Sequence, residues 1–294
     1  MKKILVPIDF SEDTTLVCRY ALELGRHESS MICLMHSYFD RMTISETSFP
    51  SSIETETYIN EQLLRETYDQ ARERILHLQD TILRIAEDED IGQIEVDTHL
   101  EGGEPISGII EYCGNFDPDI IVMGTSGRGR KGFMEGSVSR KIMNNADIPV
   151  MAIPSMPAFR PLQNILYLTN FDQGDARCIH ALMDILRPYN TRTFVLHLLN
   201  EQKQEETSHM LDQLRSHFLE EEDKGLIQFI MQPRTDYRQD VLEFTREHAI
   251  DTISFIPHKR NFLDGFFRKV MTKKDLYDAN IPLLAIPGRE RCSS

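Results

Sequence analysis

The residue types that could do chemistry in this 294-residue chain are concentrated in one segment, GTSGRGRKGFMEGS at residues 124–137. Glycine allows a positive φ and a close approach of the backbone to a ligand, because it has no Cβ. Successive backbone N–H groups in such turns bind anions. A helix that starts at Gly136 and Ser137 would add its free N–H groups and positive dipole end. The segment is interpreted as a phosphate-binding loop, with a plain surface loop as the alternative.

Two familiar nucleotide motifs fit this segment incompletely. A P-loop reads GxxxxGK[ST], whereas here Arg130 occupies the lysine position and Lys131 the hydroxyl position. Residues 127–132 satisfy GxGxxG, but they follow the fourth predicted strand, whereas a dinucleotide-binding fold has this fingerprint after its first strand. The sequence therefore disfavours a P-loop NTPase and a dinucleotide oxidoreductase.

The chain contains an internal repeat. Residues 119–154 run from DIIVMG to IPVMAIP, and residues 251–287 run from DTISFI to IPLLAIP. The openings KILVPIDFS and NILYLTNFD also correspond, and His36 and His197 follow them at equal distances. A proline-bearing stretch separates the copies. We therefore predict two domains, residues 1–156 and 162–294.

Strands and helices are predicted to alternate in each half. Short β-branched apolar runs are typical of strands buried on both faces. The alternation predicts an α/β fold with a doubly wound, Rossmann-like parallel sheet in each half. Ser11 is predicted to cap the first helix, and a polar loop is predicted over residues 43–57. The long helix that follows, from about Asn60 to Glu87, has an apolar stripe formed by Leu63, Leu64, Ala71, Ile75, Leu76, Leu78, Ile82 and Ile85.

Ligands of such sheets bind beyond the carboxyl ends of the strands, where the strand order reverses. Asp9 and Gly124 are both predicted at such ends, which makes them candidate site residues. His36 and His197 are interpreted as duplicated packing residues, because neither has a second metal ligand at useful spacing. The residue pattern indicates no catalytic residue and no metal site.

Charge and hydropathy exclude several classes of protein. The formal net charge of −15 disfavours nucleic acid as a partner. No apolar run approaches the length of a membrane span, and no signal peptide opens the sequence. The five cysteines form no CxxC pair. A cytoplasmic protein without a membrane partner is expected.

Several ordered motifs resemble those of the universal stress protein family: ILVPIDFS, LMHS, IIVMGTSGRG, GSVSRKI and IPVMAIP. The resemblance covers nearly the whole chain. It implies two such domains in tandem, each with the adenine nucleotide alpha hydrolase-like fold. ATP-binding members of the family have the pattern G-x2-G-x9-G-[ST] in this loop.

The resemblance also assigns roles in ATP binding. Pro7 and Asp9 would flank the adenosine part, and Ser37 stands where the family often has an apolar residue against adenine. Gly124 and Gly127 would line the ribose and phosphates. The phosphates would be cradled by Gly136, Ser137 and Val138.

The loop departs from the family pattern in length. Eight residues separate Gly127 from Gly136, where the pattern has nine. A loop can absorb such a deletion, or the deletion can move Gly136 and Ser137 away from the phosphates. The second half has Leu168, Asn170, Ile256, Lys259, Lys269 and Val270 in place of Pro7, Asp9, Gly124, Gly127, Gly136 and Ser137.

We therefore expect a nucleotide-responsive stress protein that binds ATP in its first domain, either with Mg²⁺ or without it. It is not expected to be an enzyme, although slow ATP hydrolysis or autophosphorylation is compatible with Ser137. The two domains are expected to form an intramolecular pseudo-dimer through residues 150–153 and 283–286. Two chains could form a homodimer, and the protein partner is unidentified. The alternative is a nucleotide-free interaction module.

Overall fold

A computed structural model describes residues 1–38, 53–125, 138–199, 204–257 and 281–288 of the chain. The chain divides into two compact units, Met1–Arg128 and Gly129–Ser294. This division falls inside the glycine-rich segment. The predicted domain bounds, 1–156 and 162–294, refer to the sequence repeat, and they stay a prediction.

The first unit alternates strands and helices, as predicted. In chain order its elements are β1 Lys2–Pro7, α1 Thr14–Gly25, β2 Ser30–Ser37, α2 Ile53–Asp88, β3 Ile94–Glu101, α3 Pro105–Phe116 and β4 Ile120–Gly124. The strand order is β3-β2-β1-β4, with parallel pairing throughout. Because β1 lies between β2 and β4, the order reverses at β1, as in doubly wound sheets.

Apolar residues explain the central position of β1. Ile4, Leu5 and Val6 are completely buried, as expected of a strand covered on both faces. The start of β1 is also tied to β4, because the backbone N–H of Lys3 donates to Asp119 Oδ2 at 2.7 Å.

The second unit repeats this alternation. Its elements are α4 Val138–Asn145, β5 Val150–Ile153, β6 Asn164–Leu168, α5 Asp175–Leu186, β7 Arg192–Leu199, α6 Gln204–Arg215, α7 Leu219–Asp223, β8 Ile227–Pro233, α8 Tyr237–Glu247, β9 Thr252–Phe255 and β10 Leu283–Ala285. A short 3₁₀ turn, Arg187–Tyr189, follows α5. The strand order is β5-β10-β9-β6-β7-β8. An α/β fold with mostly parallel strands is therefore confirmed.

The predicted pairing of the two IP-apolar-AI strands is present in the second unit. Leu283 lies opposite Ala152, and Ala285 lies opposite Val150, in an antiparallel ladder. The other described pairs of this unit are parallel. Strand β10 therefore joins a strand from the first sequence copy to the sheet of the second copy.

Two local predictions were wrong. Helix α1 begins at Thr14 after Asp13, which makes no side-chain capping bond, so Ser11 is not the cap. Helix α2 begins at Ile53, within the predicted polar loop, whose earlier residues lie outside the described ones. Helix formation there competes with the Ser and Thr preference for turns, and the long amphipathic pattern prevails.

The predicted stripe of α2 is only partly buried. Ile75 and Ile82 are buried against the sheet, whereas Leu63, Leu64 and Leu76 are exposed. Within the described part of the chain, no helix combines the length and the apolar character that crossing a membrane requires.

We expect Ile82→Ala to lower the free energy of unfolding by about 2–5 kcal/mol, because it removes a buried side chain. Leu76→Ala in the same helix is the control, with an expected change within about 0.5 kcal/mol. Urea denaturation of both variants measures the difference. Equal effects would contradict the packing of α2 described above.

Candidate functional site

The carboxyl ends of β1 and β4 lie at the same edge of the first unit's sheet. Leu5 lies opposite Ile121 in a parallel ladder, so the residues that leave β1 and β4 emerge side by side. Pro7 is the last residue of β1, and Gly124 is the last residue of β4. The structure therefore brings Pro7, Asp9 and Gly124 together at the point where the strand order reverses.

Asp9 shapes the turn that leaves β1. Its Oδ1 accepts a hydrogen bond from the backbone N–H of Ser11 at 3.0 Å. The side chain is half-buried, so part of the residue remains accessible at the sheet edge. A partly accessible carboxylate in this position can accept hydrogen bonds from the hydroxyl or amino groups of a ligand.

Phe10 follows Asp9 in the left-handed region, with φ of 55°. This conformation is costly for an aromatic residue and persists where neighbours hold it. The Phe10 ring lies 4.5 Å from the His36 ring, and the Arg74 guanidinium lies 4.1 Å from the Phe10 centroid. His36 Nδ1 is 2.8 Å from the Ile8 carbonyl oxygen, which fixes the histidine.

The second unit also has a left-handed phenylalanine that contacts a histidine. Phe171 has φ of 60°, and its ring lies 4.4 Å from that of His197. His197 Nδ1 is 2.9 Å from the Thr169 carbonyl oxygen. Burial lowers the pKa of His197, and the bond to Thr169 opposes that shift. The histidines therefore hold a duplicated turn. Among the described residues, no cluster of three or more His, Cys, Asp or Glu side chains could hold a metal ion.

Two buried hydroxyls of the first unit lack hydrogen-bond partners among the described residues: Thr125 Oγ1, directly after Gly124, and Thr14 Oγ1, in the first turn of α1. A buried polar group without a partner costs free energy. Thr125 is thus a polar group at the sheet edge that a ligand could satisfy. The sequence pattern did not single it out, although it lies inside the glycine-rich segment.

Two of the remaining predicted site residues lie in the described part of the chain. Ser37 is the half-buried last residue of β2, and it lies opposite Glu101 of β3, one strand away from β1. Val138 is the half-buried first residue of α4. Gly127, Gly136 and Ser137 lie outside the described residues.

In the second unit, a side chain occupies the position that corresponds to Gly124. Ile256 is buried there, and its side chain reaches two glycines. A Cβ added to Gly288 would lie 3.1 Å from Ile256 Cγ2, and one added to Gly174 would lie 3.4 Å from Ile256 Cδ1. The backbone of Gly288 also lies against Gly174. This part of the second unit is closely packed.

A network of buried polar groups lies at the carboxyl end of β6 in the second unit. The Asp175 carboxylate accepts hydrogen bonds from the Tyr167 hydroxyl at 2.8 Å, from the Asp172 backbone N–H at 3.0 Å, and from the Thr169 hydroxyl. Asp175 takes the place that Thr14 has in the first unit. Burial raises the pKa of the Asp175 carboxyl, and the hydrogen bonds from Thr169 and Tyr167 oppose the shift. The two equivalent positions therefore differ: one has a buried hydroxyl without a described partner, and the other a satisfied carboxylate.

Phe10, Arg74, Tyr38 and Thr125 are the site neighbours that sequence reasoning missed. The recurrence of phenylalanine in PIDFS and LTNFD was a usable signal for Phe10. Arg74 had no local signal, because its contact with Phe10 spans 64 residues. Tyr38 leaves β2 with its N–H bonded to the Glu101 carbonyl at 3.1 Å, and its ring contacts Tyr68 of α2 at 5.4 Å.

Comparisons with known proteins identify relatives for the first half and for the whole fold. A profile of the universal stress protein family matches residues 1–154. A universal stress protein of Synechocystis sp. is 31% identical over 159 residues, which cover 51% of this chain and 96% of the relative.

Two solved structures cover nearly the whole chain. A universal stress protein of Archaeoglobus fulgidus superposes with a TM-score of 0.68 at 16% identity, over 97% of this chain and 96% of that one. The cytoplasmic domain of a prokaryotic cation chloride cotransporter superposes with a TM-score of 0.55 at 9% identity, over 98% of this chain and 96% of that one. At these identities the likeness concerns the fold alone.

We expect Gly174→Ala to destabilise the protein by about 1–3 kcal/mol, because overpacking a close contact forces the backbone to move. The added Cβ would lie 3.2 Å from the Gly288 carbonyl oxygen. Gly114→Ala is the control in helix α3, where a Cβ meets nothing within 4 Å. It should stabilise by about 0.5–1 kcal/mol. A neutral Gly174→Ala in thermal and urea unfolding would contradict the close packing.

Asp175 predicts a specific pH dependence of stability. A carboxyl whose pKa is raised on folding binds its proton more tightly in the folded chain than in the unfolded chain. Its contribution to the free energy of unfolding is therefore largest below its ordinary value of 3.8 and is lost as pH rises through the raised pKa. We expect the stability of the wild type, relative to Asp175→Asn, to fall across that window. A difference that does not change with pH, measured by urea denaturation, would contradict the buried network.

Proposed function

This chain belongs to the universal stress protein family, and we propose that it binds one ATP molecule in its first 154 residues as a nucleotide-responsive regulatory protein. Pro7 and Asp9 hold the adenosine part. The Asp9 carboxylate accepts hydrogen bonds from ribose or adenine, and Gly124 allows the nucleotide to lie close to the backbone.

The observation that carries this proposal is the meeting of Asp9 and Gly124 at adjacent parallel strand ends. This edge is where doubly wound sheets bind ligands. Asp9 is half-buried there, and Thr125 adds a buried hydroxyl without a described partner. The residues of the first unit therefore fit a ligand that carries hydroxyl and amino groups.

The residues proposed to bind the phosphates are identified from the sequence. Gly127, Gly136, Ser137 and Val138 supply the backbone N–H groups and the hydroxyl, with Ser37 against the adenine. Mg²⁺, where present, would neutralise phosphate charge. The eight-residue spacing between Gly127 and Gly136 shortens the loop without removing any of these residues.

The second half acts as a structural partner in this proposal. Its counterpart of Gly124 is Ile256, which packs against Gly174 and Gly288. We infer a second, degenerate domain that forms an intramolecular pseudo-dimer with the first. The antiparallel pairing of β5 with β10 supports this arrangement.

The proposed role is binding rather than turnover. His36, the histidine near Asp9, has its Nδ1 bonded to the Ile8 carbonyl, so that nitrogen is engaged in holding the turn. Slow hydrolysis or autophosphorylation at Ser137 would be a secondary activity. The proposed compartment is the cytoplasm, where thiols such as the buried Cys18 and Cys33 stay reduced.

The second candidate function is a nucleotide-free interaction module. The shortened spacing between Gly127 and Gly136 favours it, since one residue fewer can displace the phosphate-binding N–H groups. A protein partner would then be recognised by the surface alone.

Three substitutions separate these functions in ATP titrations by calorimetry. Asp9→Asn keeps an acceptor for the Ser11 N–H and removes the charge, and we expect ATP affinity to fall about tenfold, as for loss of one charged hydrogen bond. Gly124→Ile copies the second unit and should abolish binding. Asn170→Asp makes the reverse change at the corresponding position of the second unit, and it should leave the ATP affinity unchanged. Undiminished affinity in Gly124→Ile would overturn the site, and no binding by the wild type would favour the interaction module.

A further inference from the structure

The turn that contains Asp9 is contacted by a residue of helix α2. Phe10 lies between Asp9 and Ser11, and its φ of 55° is in the left-handed region. The Arg74 guanidinium lies 4.1 Å from the centroid of the Phe10 ring, and Arg74 Nη2 lies 3.5 Å from the Phe10 carbonyl oxygen. Because the Ser11 N–H reaches Asp9 Oδ1 across this turn, a change in φ of Phe10 would move the Asp9 carboxylate.

The equivalent turn of the second unit is held in a different way. The Phe171 N–H donates to the Thr169 hydroxyl at 2.9 Å. In the first unit Ile8 stands at the position of Thr169, and its side chain has no acceptor. Among the described residues, no guanidinium or ammonium group lies over the Phe171 ring. The contact from Arg74 thus takes the place of an internal hydrogen bond.

Helix α2 also contacts the residue that follows β2. Tyr38 comes directly after Ser37, which is proposed to lie against the adenine. The Tyr38 ring lies 5.4 Å from the Tyr68 ring in an edge-to-face arrangement, which is favourable for aromatic pairs. Tyr68 precedes Arg74 by six residues in α2. One helix therefore contacts both of the turns that are proposed to flank the adenosine part of ATP.

We propose that α2 positions the turns after β1 and β2 for the nucleotide, through Arg74 and Tyr68, and that ATP in return stabilises these contacts. This inference rests on the ATP binding proposed above. Arg74 acts on Asp9 through Phe10 and is a positioning residue. If the contacts of α2 raise the affinity for ATP, then ATP must stabilise them by the same free energy. Helix α2, which exposes Leu64 and Tyr68, is then the element that responds to the nucleotide.

Amide hydrogen exchange of the nucleotide-free protein tests the positioning. We expect Arg74→Leu to speed exchange of the Ser11 amide about two- to fivefold, because it removes an exposed cation–π contact from the turn. Arg72→Leu is the matched control at an exposed position of the same helix, and it should leave the exchange rate unchanged. Circular dichroism checks the folding of each variant. An unchanged Ser11 exchange rate in Arg74→Leu would overturn the proposal.

Calorimetric titrations with ATP and with adenosine test the effect on the ligand. Arg74→Leu should weaken both affinities about two- to fivefold, because Asp9 is proposed to meet the adenosine part that both ligands share. A loss confined to ATP would overturn the positioning role, since Arg74 would then act on the phosphates directly. Tyr68→Leu should also weaken both affinities, whereas Tyr68→Phe keeps the ring and should bind like the wild type. Equal binding by the two Tyr68 variants would overturn the role of the contact with Tyr38.

Exchange in α2 itself tests the reciprocal effect. ATP should slow amide exchange over residues 67–75 in the wild type, and it should do so less in Arg74→Leu. A wild type that binds ATP without this slowing would overturn the link between ATP and α2. A wild type that binds no ATP would instead overturn the proposed function, and Ser11 exchange in nucleotide-free Arg74→Leu would still decide whether α2 holds the turn.

Discussion

The parallel pairing of β1 with both β2 and β4 is the constraint on which the rest of the first unit depends. Buried Ile4, Leu5 and Val6 keep β1 in the centre of the sheet, and the opposition of Leu5 and Ile121 aligns the ends of β1 and β4. Asp9 and Gly124 meet at one edge for this reason alone. The left-handed Phe10, held by His36 and Arg74, then directs the chain from that edge into α1. Core packing thus determines where Asp9 and Gly124 lie.

The two units show how one backbone plan supports different interiors. The contact between a left-handed phenylalanine and a histidine is present twice, as Phe10 with His36 and as Phe171 with His197. The positions that would receive a ligand have diverged. Ile256 replaces a glycine and packs against glycine backbones, and the Asp175 carboxylate satisfies the hydroxyls of Tyr167 and Thr169 internally. Around Asp175 and Ile256 the second unit thus satisfies buried hydroxyls and fills its space with its own side chains.

Much of the fold could be predicted from the sequence, because β-branched apolar runs and their alternation with helices are local patterns. Strand β5 was predicted at the residues where it is found, Val150–Ile153. The duplicated closing strands were correctly predicted to pair. Side-chain contacts between distant residues could not be predicted, as for Arg74 and Phe10, because no local pattern reports them. Leu76 is exposed although Ile75 and Leu78 beside it are buried, because consecutive residues of a helix face different directions. The phosphate-side residues Gly127, Gly136 and Ser137 lie outside the described residues, so their roles stay predictions.

The most direct test of a single nucleotide site is to denature the freshly purified protein and quantify the released nucleotides by ion-exchange chromatography. One bound ATP or ADP per chain is the predicted result, since the buried Ile256 of the second unit occupies the position that corresponds to Gly124 of the first unit. Two nucleotides per chain would contradict the packed second site. No nucleotide, together with no thermal shift in millimolar ATP and magnesium, would contradict ATP binding and leave the interaction module as the function.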